Sequence, residues 1–282
     1  MSIRTIGIIG AGTMGSGIAQ VCAAAALDVI LTDVDAARVE KGVAAVDRNL
    51  DRLVAKNKLS AADKEAALAR IQRSTNYDAL APADIVIEAA TENLEVKRTI
   101  LERVDPAVRP DAVVASNTSS VSITKLAAAI SHSDRFIGMH FFNPVPVMGL
   151  VEIVRGIQTS DVTHDAVEAL ALKLGKTPIT VKSSPGFVVN RILLPMLNEA
   201  FFVLAEGDGG ATEIDQGMKL GCNHPIGPLA LADLIGLDVL LSVMQTIHDE
   251  FGDPKYRPAP LLKELVAAGY LGRKTGRGVY RY

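Results

Sequence analysis

Thr5-Ile6-Gly7-Ile8-Ile9-Gly10-Ala11-Gly12-Thr13-Met14-Gly15 is the stretch on which the fold turns. Thr5–Ile9 is a short apolar run of strand character. A helix-forming run, Ile18–Ala25, follows the glycines. In that setting Gly10 permits a tight turn, Gly12 lets a diphosphate approach the backbone, and Gly15 lets helix and strand pack closely. The first amides of the helix then face the phosphates. A glycine phrase alone is weak evidence, and a plain structural turn has the same letters. The strand before it, the helix after it and Asp33 at the end of the next strand candidate, Asp28–Thr32, make the stronger case. A carboxylate there accepts hydrogen bonds from a ribose diol and repels a 2′-phosphate, which selects NAD over NADP. Gly10, Gly12, Thr13, Met14, Gly15 and Asp33 are therefore candidate cofactor residues.

Outward from this loop, apolar runs alternate with helical stretches. Further strand candidates are Ile85–Glu88, Val113–Ser116, Arg135–His140 and Leu150–Ile153. This alternation predicts an α/β domain with a parallel sheet covered on both faces, a Rossmann-like NAD-binding domain. No helix fits between the last two strands, so they pair differently from the rest. Between the second and third strands the chain is too long for a simple crossover. Val39, Val43, Val46, Leu50 and Leu53 recur at spacings of three and four, one face of a helix. After a turn at Asn57-Lys58-Leu59-Ser60, a second helix runs to about Gln72, completing a helical hairpin that projects from the domain.

Ser183-Ser184-Pro185-Gly186 reads as a boundary after the strand-like run Pro178–Lys182. The expected domains are 1–184, binding the dinucleotide, and 185–282, smaller and all-α. Helices are expected over Phe187–Ala205, Thr212–Leu220, Leu229–Phe251 and Ala259–Ala268. The third shows Leu231, Leu234, Ile235 and Leu241 on an apolar face. So much apolar helical surface in so small a domain predicts a homodimer through it.

With 282 residues, 49% hydrophobic and 22% charged, the chain carries ample core material. A net charge of −3 gives no reason to expect nucleic acid or an anionic membrane as partner. Cys22 and Cys222 are too few and too far apart for a disulfide framework or a metal site, and a reducing compartment suits both. Cys22 reads as a small buried apolar residue. No leader is visible, and the apolar stretch Phe187–Ala205 contains Asn190, Arg191, Pro195, Asn198 and Glu199, which are costly in lipid. A cytoplasmic protein is expected.

Five histidines are candidates for a base. His132, His164 and His248 sit in polar surroundings. His224, in Asn223-His224-Pro225, lies near a turn. His140 ends an apolar strand, where a ligand of a parallel sheet would meet it. Glu152 lies inside the apolar run Leu150-Val151-Glu152-Ile153-Val154 and needs a partner, for which an imidazolium is suitable. On the residues alone, a catalytic pair and a structural core pair stand level. In the hairpin, Asn49, Arg52 and Lys56 share one helical face. Such a face suits the phosphates of a coenzyme and equally suits solvent.

His140-Phe141-Phe142-Asn143-Pro144-Val145-Pro146-Val147-Met148, with Glu152 after it, resembles the motif of the L-3-hydroxyacyl-CoA dehydrogenase family. Thr91–Lys97, Ser116–Ser120, Pro185–Arg191 and Leu271–Gly278 resemble it too, in the right order. By length and start, the chain is most like the bacterial-type (S)-3-hydroxybutyryl-CoA dehydrogenases. The resemblance implies His140 as base, Glu152 orienting it, and Ser119 and Asn190 holding the substrate oxygen. It further implies NAD contacts at Glu92, Lys97, Asn117, Ser119 and Asn143, and coenzyme A contacts at Asn49, Arg52 and Lys56. Asn49 departs from the small hydroxyl residue common there. No metal is implied. An NAD-dependent dehydrogenase of a hydroxy acid or sugar acid on the same fold, and a non-catalytic NAD-binding protein, are the competing expectations.

Overall fold

The computed structural model describes residues 3–282. It divides into two compact units, one ending at Ser183 and the other spanning Ser184–Tyr282.

The first unit opens with strand β1 (Thr5–Ile9), helix α1 (Thr13–Ala24) and strand β2 (Asp28–Thr32). Helices α2 (Ala36–Ala55) and α3 (Ala61–Ala69) follow, then β3 (Ile71–Ser74), β4 (Ile85–Glu88), α4 (Leu94–Val104) and β5 (Val113–Ser116). Next come α5 (Ile123–Ala127), β6 (Phe136–Phe141), β7 (Leu150–Arg155), α6 (Asp161–Lys173) and β8 (Thr177–Lys182). Among the described residues the strands form one eight-stranded sheet in the order β3-β2-β1-β4-β5-β6-β7-β8. The first six are parallel. β7 pairs antiparallel with β6, as the missing crossover required, and β8 runs parallel to β7. The central strands are buried along nearly their whole length because helices cover both faces.

Asp35 and Ser60 cap α2 and α3 by accepting the backbone N–H groups of Arg38 and Asp63. The apolar face expected on the hairpin packs on the domain, and its far end around residues 55–63 is largely exposed. Val43, Val46 and Leu50 of α2 and Ala67 of α3 share a core with Ile18 and Cys22 of α1. Burial of Cys22 pushes its thiol pKa up to about 12, so it is an inert core residue. The second helix also stops earlier than expected. After Ala69 the chain turns to strand, and Val29 N–H donates to Arg70 O at 2.9 Å. Local helix propensity in this Ala- and Glu-rich stretch yields to pairing with β2 along Val29↔Ile71 to Thr32↔Ser74. The strand expected at Arg135–His140 lies one residue later, which seats His140 inside the ladder.

The second unit contains α7 (Val189–Glu206), α8 (Ala211–Gly221), α9 (Pro228–Ile235), α10 (Leu237–Phe251) and α11 (Pro260–Ala267). The single helix expected over Leu229–Phe251 is two, bent by 97°. Gly236, at φ +106°, makes the break, in a region closed to other residues at little cost. The apolar stripe restarts there, and of the expected face Leu231, Ile235 and Leu241 are half-buried against this unit's core. Leu229, Ala232, Leu237, Leu240, Met244 and Ile247 are the buried residues, and Leu234 is exposed. Two buried carboxylates tie this unit together. Asp215 accepts the N–H groups of Leu229 and Ala230 at the start of α9. Asp233 accepts those of Val279 and Tyr280, pinning the C-terminal segment. Among the described residues no single helix is long and apolar enough to cross a membrane.

Candidate active site

The carboxyl ends of β1, β2, β4, β5 and β6 meet along one edge of the first unit. Neighbouring loops are laced together there. Gly10 N–H donates to Thr32 O, Ala89 N–H to Ile9 O, and Asn117 N–H to Glu88 O. Glycine at position 15 is obligatory, since a Cβ would lie 1.7 Å from Gly10 O. A Cβ at Gly12, by contrast, would meet nothing within 4 Å, so the start of α1 opens on a cradle. Helix α1 has no side-chain cap and no acid in its first turn. Its first amides are thus left for an anion.

Asp33 is held in place by its own turn. Its Oδ2 accepts Ala11 N–H and its Oδ1 accepts Val34 N–H, both at 2.7 Å. Beside it lies a cleft of about 370 Å³ lined by residues that include Gly10, Asp33, Val34, Tyr77, Ile100 and Arg103. Arg103 sits 5.1 Å over the Tyr77 ring. Burial raises the Tyr77 pKa despite that guanidinium, so the ring stays neutral in the cleft. An open glycine cradle, free helix amides and a carboxylate next to a flat-walled cleft fit an NAD molecule, with diphosphate on α1 and ribose on Asp33. Tyr77 and Arg103 were not anticipated from sequence. Both lie outside the glycine motif, and only the folded chain brings them together.

At the ends of β4 and β5 sits a buried ionic cluster. Lys97 Nζ lies 2.6 Å from Glu88 Oε2, with both side chains at most 1% exposed. Ser116 Oγ donates to the same Glu88 oxygen, and Ala90 N–H donates to the other. Lys97 was expected to touch NAD. Its side chain is enclosed by protein, with Nζ 3.8 Å from Glu92 Oε2 at the exposed side of the cluster. Glu92 in turn accepts the hydroxyls of Thr118 and Ser119, both at 2.7 Å. Lys97 therefore braces the loops that carry Glu92 and Ser119. Asn117 also faces inward, its Oδ1 accepting Phe141 N–H at 2.9 Å.

His140 and Glu152 stand directly opposite each other on β6 and β7. His140 Nδ1 lies 2.7 Å from Glu152 Oε2. Glu152 is fully buried and His140 nearly so, and Phe142 packs on the imidazole with ring centroids 4.5 Å apart. With Nδ1 donating to the carboxylate, the ring's lone pair is on Nε2. The arrangement can take up a proton at Nε2 and stabilise the resulting imidazolium. Asn143 is exposed in the loop after β6.

The remaining expected site residues lie elsewhere. Asn190 is on α7 of the second unit. On α2, Asn49 Nδ2 donates to Gln20 Oε1, Asn49 Oδ1 accepts a long bond from Arg52, and Lys56 caps the exposed end of the helix.

Residues 5–184 match the 3-hydroxyacyl-CoA dehydrogenase NAD binding domain, and residues 186–282 match the C-terminal domain of the same family. A 3-hydroxybutyryl-CoA dehydrogenase of Bradyrhizobium diazoefficiens is 52% identical over 280 residues, 99% of this chain and 96% of that protein. One from Clostridioides difficile is 48% identical, over 98% of this chain and 99% of that protein. The crystal structure of (S)-3-hydroxybutyryl-CoA dehydrogenase from Ralstonia eutropha superposes with a TM-score of 0.98 at 68% identity, over 100% of this chain and 99% of that one. A glycine cradle beside a carboxylate, a histidine–glutamate pair on adjacent strands and matches across both units lead to one conclusion: the chain belongs to the 3-hydroxyacyl-CoA dehydrogenase family.

Proposed function

We propose that the chain oxidises (S)-3-hydroxybutyryl-CoA to acetoacetyl-CoA with NAD⁺, and catalyses the reverse reduction with NADH. The observation that carries this reading is the buried His140–Glu152 pair at the sheet edge that also holds the glycine cradle and Asp33. In the oxidative direction His140 Nε2 takes the proton of the 3-hydroxyl group. Glu152 fixes the tautomer and stabilises the imidazolium. The nicotinamide of bound NAD supplies the hydride acceptor for carbon 3. Ser119, braced by Glu92, holds the substrate oxygen, and Asn143 orients the ligands beside His140. Gly10, Gly12, Thr13, Met14 and Gly15 seat the diphosphate, with Asp33 on the ribose. Asn49, Arg52 and Lys56 offer a polar, cationic face to the coenzyme A phosphates.

The test is a steady-state comparison of acetoacetyl-CoA with free acetoacetate, using NADH and then NADPH. Turnover is expected with acetoacetyl-CoA and NADH, with kcat/KM lower by at least about tenfold for free acetoacetate, because remote binding energy is lost with the coenzyme. Equal use of acetoacetate would favour a hydroxy acid dehydrogenase instead. The working form is proposed as a cytoplasmic homodimer assembled through the second unit, where Ile192, Leu220 and Leu234 stand exposed. Sedimentation should give about twice 29.8 kDa, and a monomer at micromolar concentration would overturn the dimer.

A further inference from the structure

Lys176 is a lysine in the wrong place for a surface charge. It follows α6, is 7% exposed, and points its ammonium inward. Nζ donates to Val145 O at 2.6 Å and to Met148 O at 2.8 Å. Among the described residues no carboxylate pairs with it. Burial lowers its pKa from the ordinary lysine value. A cation enclosed with only carbonyls for company is costly, and a methionine would fill the same space without that cost.

Its two acceptors belong to the segment that joins β6 to β7. Two prolines, Pro144 and Pro146, deprive this segment of backbone donors. Internally it has Val147 and Met148 N–H donating to Pro144 O. It is wedged on one side by the buried Val145, which packs so close to Gly17 of α1 that a Cβ on Gly17 would lie 2.9 Å from the Val145 Cβ. On the other side, Lys176 grips the carbonyls. The segment begins at Phe142 and Asn143, two and three residues after His140, and ends three residues before Glu152.

We propose that Lys176 is a positioning residue for the reaction: its ammonium staples the segment between β6 and β7, and so fixes Phe142 and Asn143 beside His140 and relative to the start of α1. Without the staple the segment keeps its wedge at Gly17 and, at its far end, the Thr177 N–H bond to Gly149 O. The strands themselves stay paired on both flanks, and it is the loop carrying Phe142, which packs on the His140 ring, and Asn143 that is then free to shift. A misplacement of about 1 Å at a reacting group costs on the order of 10²-fold in rate. This inference rests on the proposed role of the His140–Glu152 pair.

The experiment uses the full chain with Lys176→Met and Lys176→Arg. NADH affinity is read by fluorescence titration, and kcat and KM with acetoacetyl-CoA by initial rates. Lys176→Met should lower kcat by about 10- to 100-fold while the NADH dissociation constant stays within about twofold of the parent. Lys176→Arg keeps a cationic donor and should recover most of that loss. Three results would overturn the proposal. One is a Met variant with kcat within about twofold of the parent. Another is loss of NADH binding in that variant, which makes the lysine a support of the whole unit. The third is an Arg variant no better than Met. His140→Ala separates the two ideas: if it keeps its kcat, the proposed function fails, whereas an inactive His140→Ala beside a fully active Lys176→Met sinks the staple alone.

Discussion

Replacing His140 with alanine should lower kcat for acetoacetyl-CoA reduction by about 10²–10⁴-fold, the usual worth of a positioned general acid–base. In this direction the proposed mechanism has the imidazolium deliver the proton that the forward reaction removes. NADH binding should survive, because the cradle at Gly12 and the carboxylate at Asp33 are built from other strands. Binding intact and turnover lost is the pattern of a residue acting in the chemical step. Glu152→Gln should also depress kcat. An amide can hold the ring but cannot neutralise the imidazolium, and in so dry a position that difference is large. Stopped-flow single-turnover rates with bound NADH give the cleanest reading. A His140→Ala enzyme that keeps more than about a tenth of its kcat would remove His140 from the chemistry and bring His224 forward as the next base to test.

The second large effect concerns stability. Lys97→Met leaves the Glu88 carboxylate fully buried with no counter-charge. Breaking a buried pair in this way costs about 3–5 kcal/mol. The Ser116 hydroxyl and the Ala90 N–H still donate to Glu88, so the lower part of that range is expected. For a chain of this size about 3 kcal/mol corresponds to a fall in Tm of roughly 6–12 °C. The double variant Glu88→Gln/Lys97→Met removes both charges and should win back most of the loss. Denaturant unfolding of the parent, both single variants and the double variant measures the coupling. A single Lys97→Met variant within about 1 kcal/mol of the parent would mean that the carboxylate finds relief without its lysine. Such a result would also weaken the case that Lys97 braces Glu92 and Ser119.

Much of this was legible before any coordinates. The glycine phrase, its flanking strand and helix, and Asp33 specify a local unit with a single geometry, so reading them needed no knowledge of distant contacts. His140 and Glu152 were legible for a different reason. A titratable residue inside an apolar run must find a partner, and the two runs are adjacent in sequence. The same argument applied to Glu88, the last residue of the apolar run Ile85–Glu88, and it would have pointed to a buried cation. For Lys97 the family resemblance implied a cofactor contact, and its position on a polar helix stretch gives no hint of which face turns inward. Strand β3 was missed since its Ile-Gln-Arg-Ser sequence has little strand character, and only pairing to β2 makes it one. The break at Gly236 was hidden by continuous apolar composition on both sides, which a straight helix and two bent ones share. Tyr77, Arg103 and Lys176 owe their places to tertiary packing alone.

The position of His140 and Glu152 on paired strands has a consequence for when the site is assembled. Each of these strands is bonded on both flanks, β6 by β5 and β7, and β7 by β6 and β8. Their relative placement is set by main-chain rungs that form with the sheet itself. The pair proposed to transfer the proton is thus pre-assembled, and ligand arrival has little ordering left to do there. Ser119, Glu92 and Asn143 are different, because they lie on loops beyond the strand ends. The site divides into a part that exists as soon as the sheet folds and a part that is tightened by what binds. Amide exchange at His140 and Glu152 should be slow with or without ligand, while the segments around Glu92 and Asn143 should slow only when the cleft is filled.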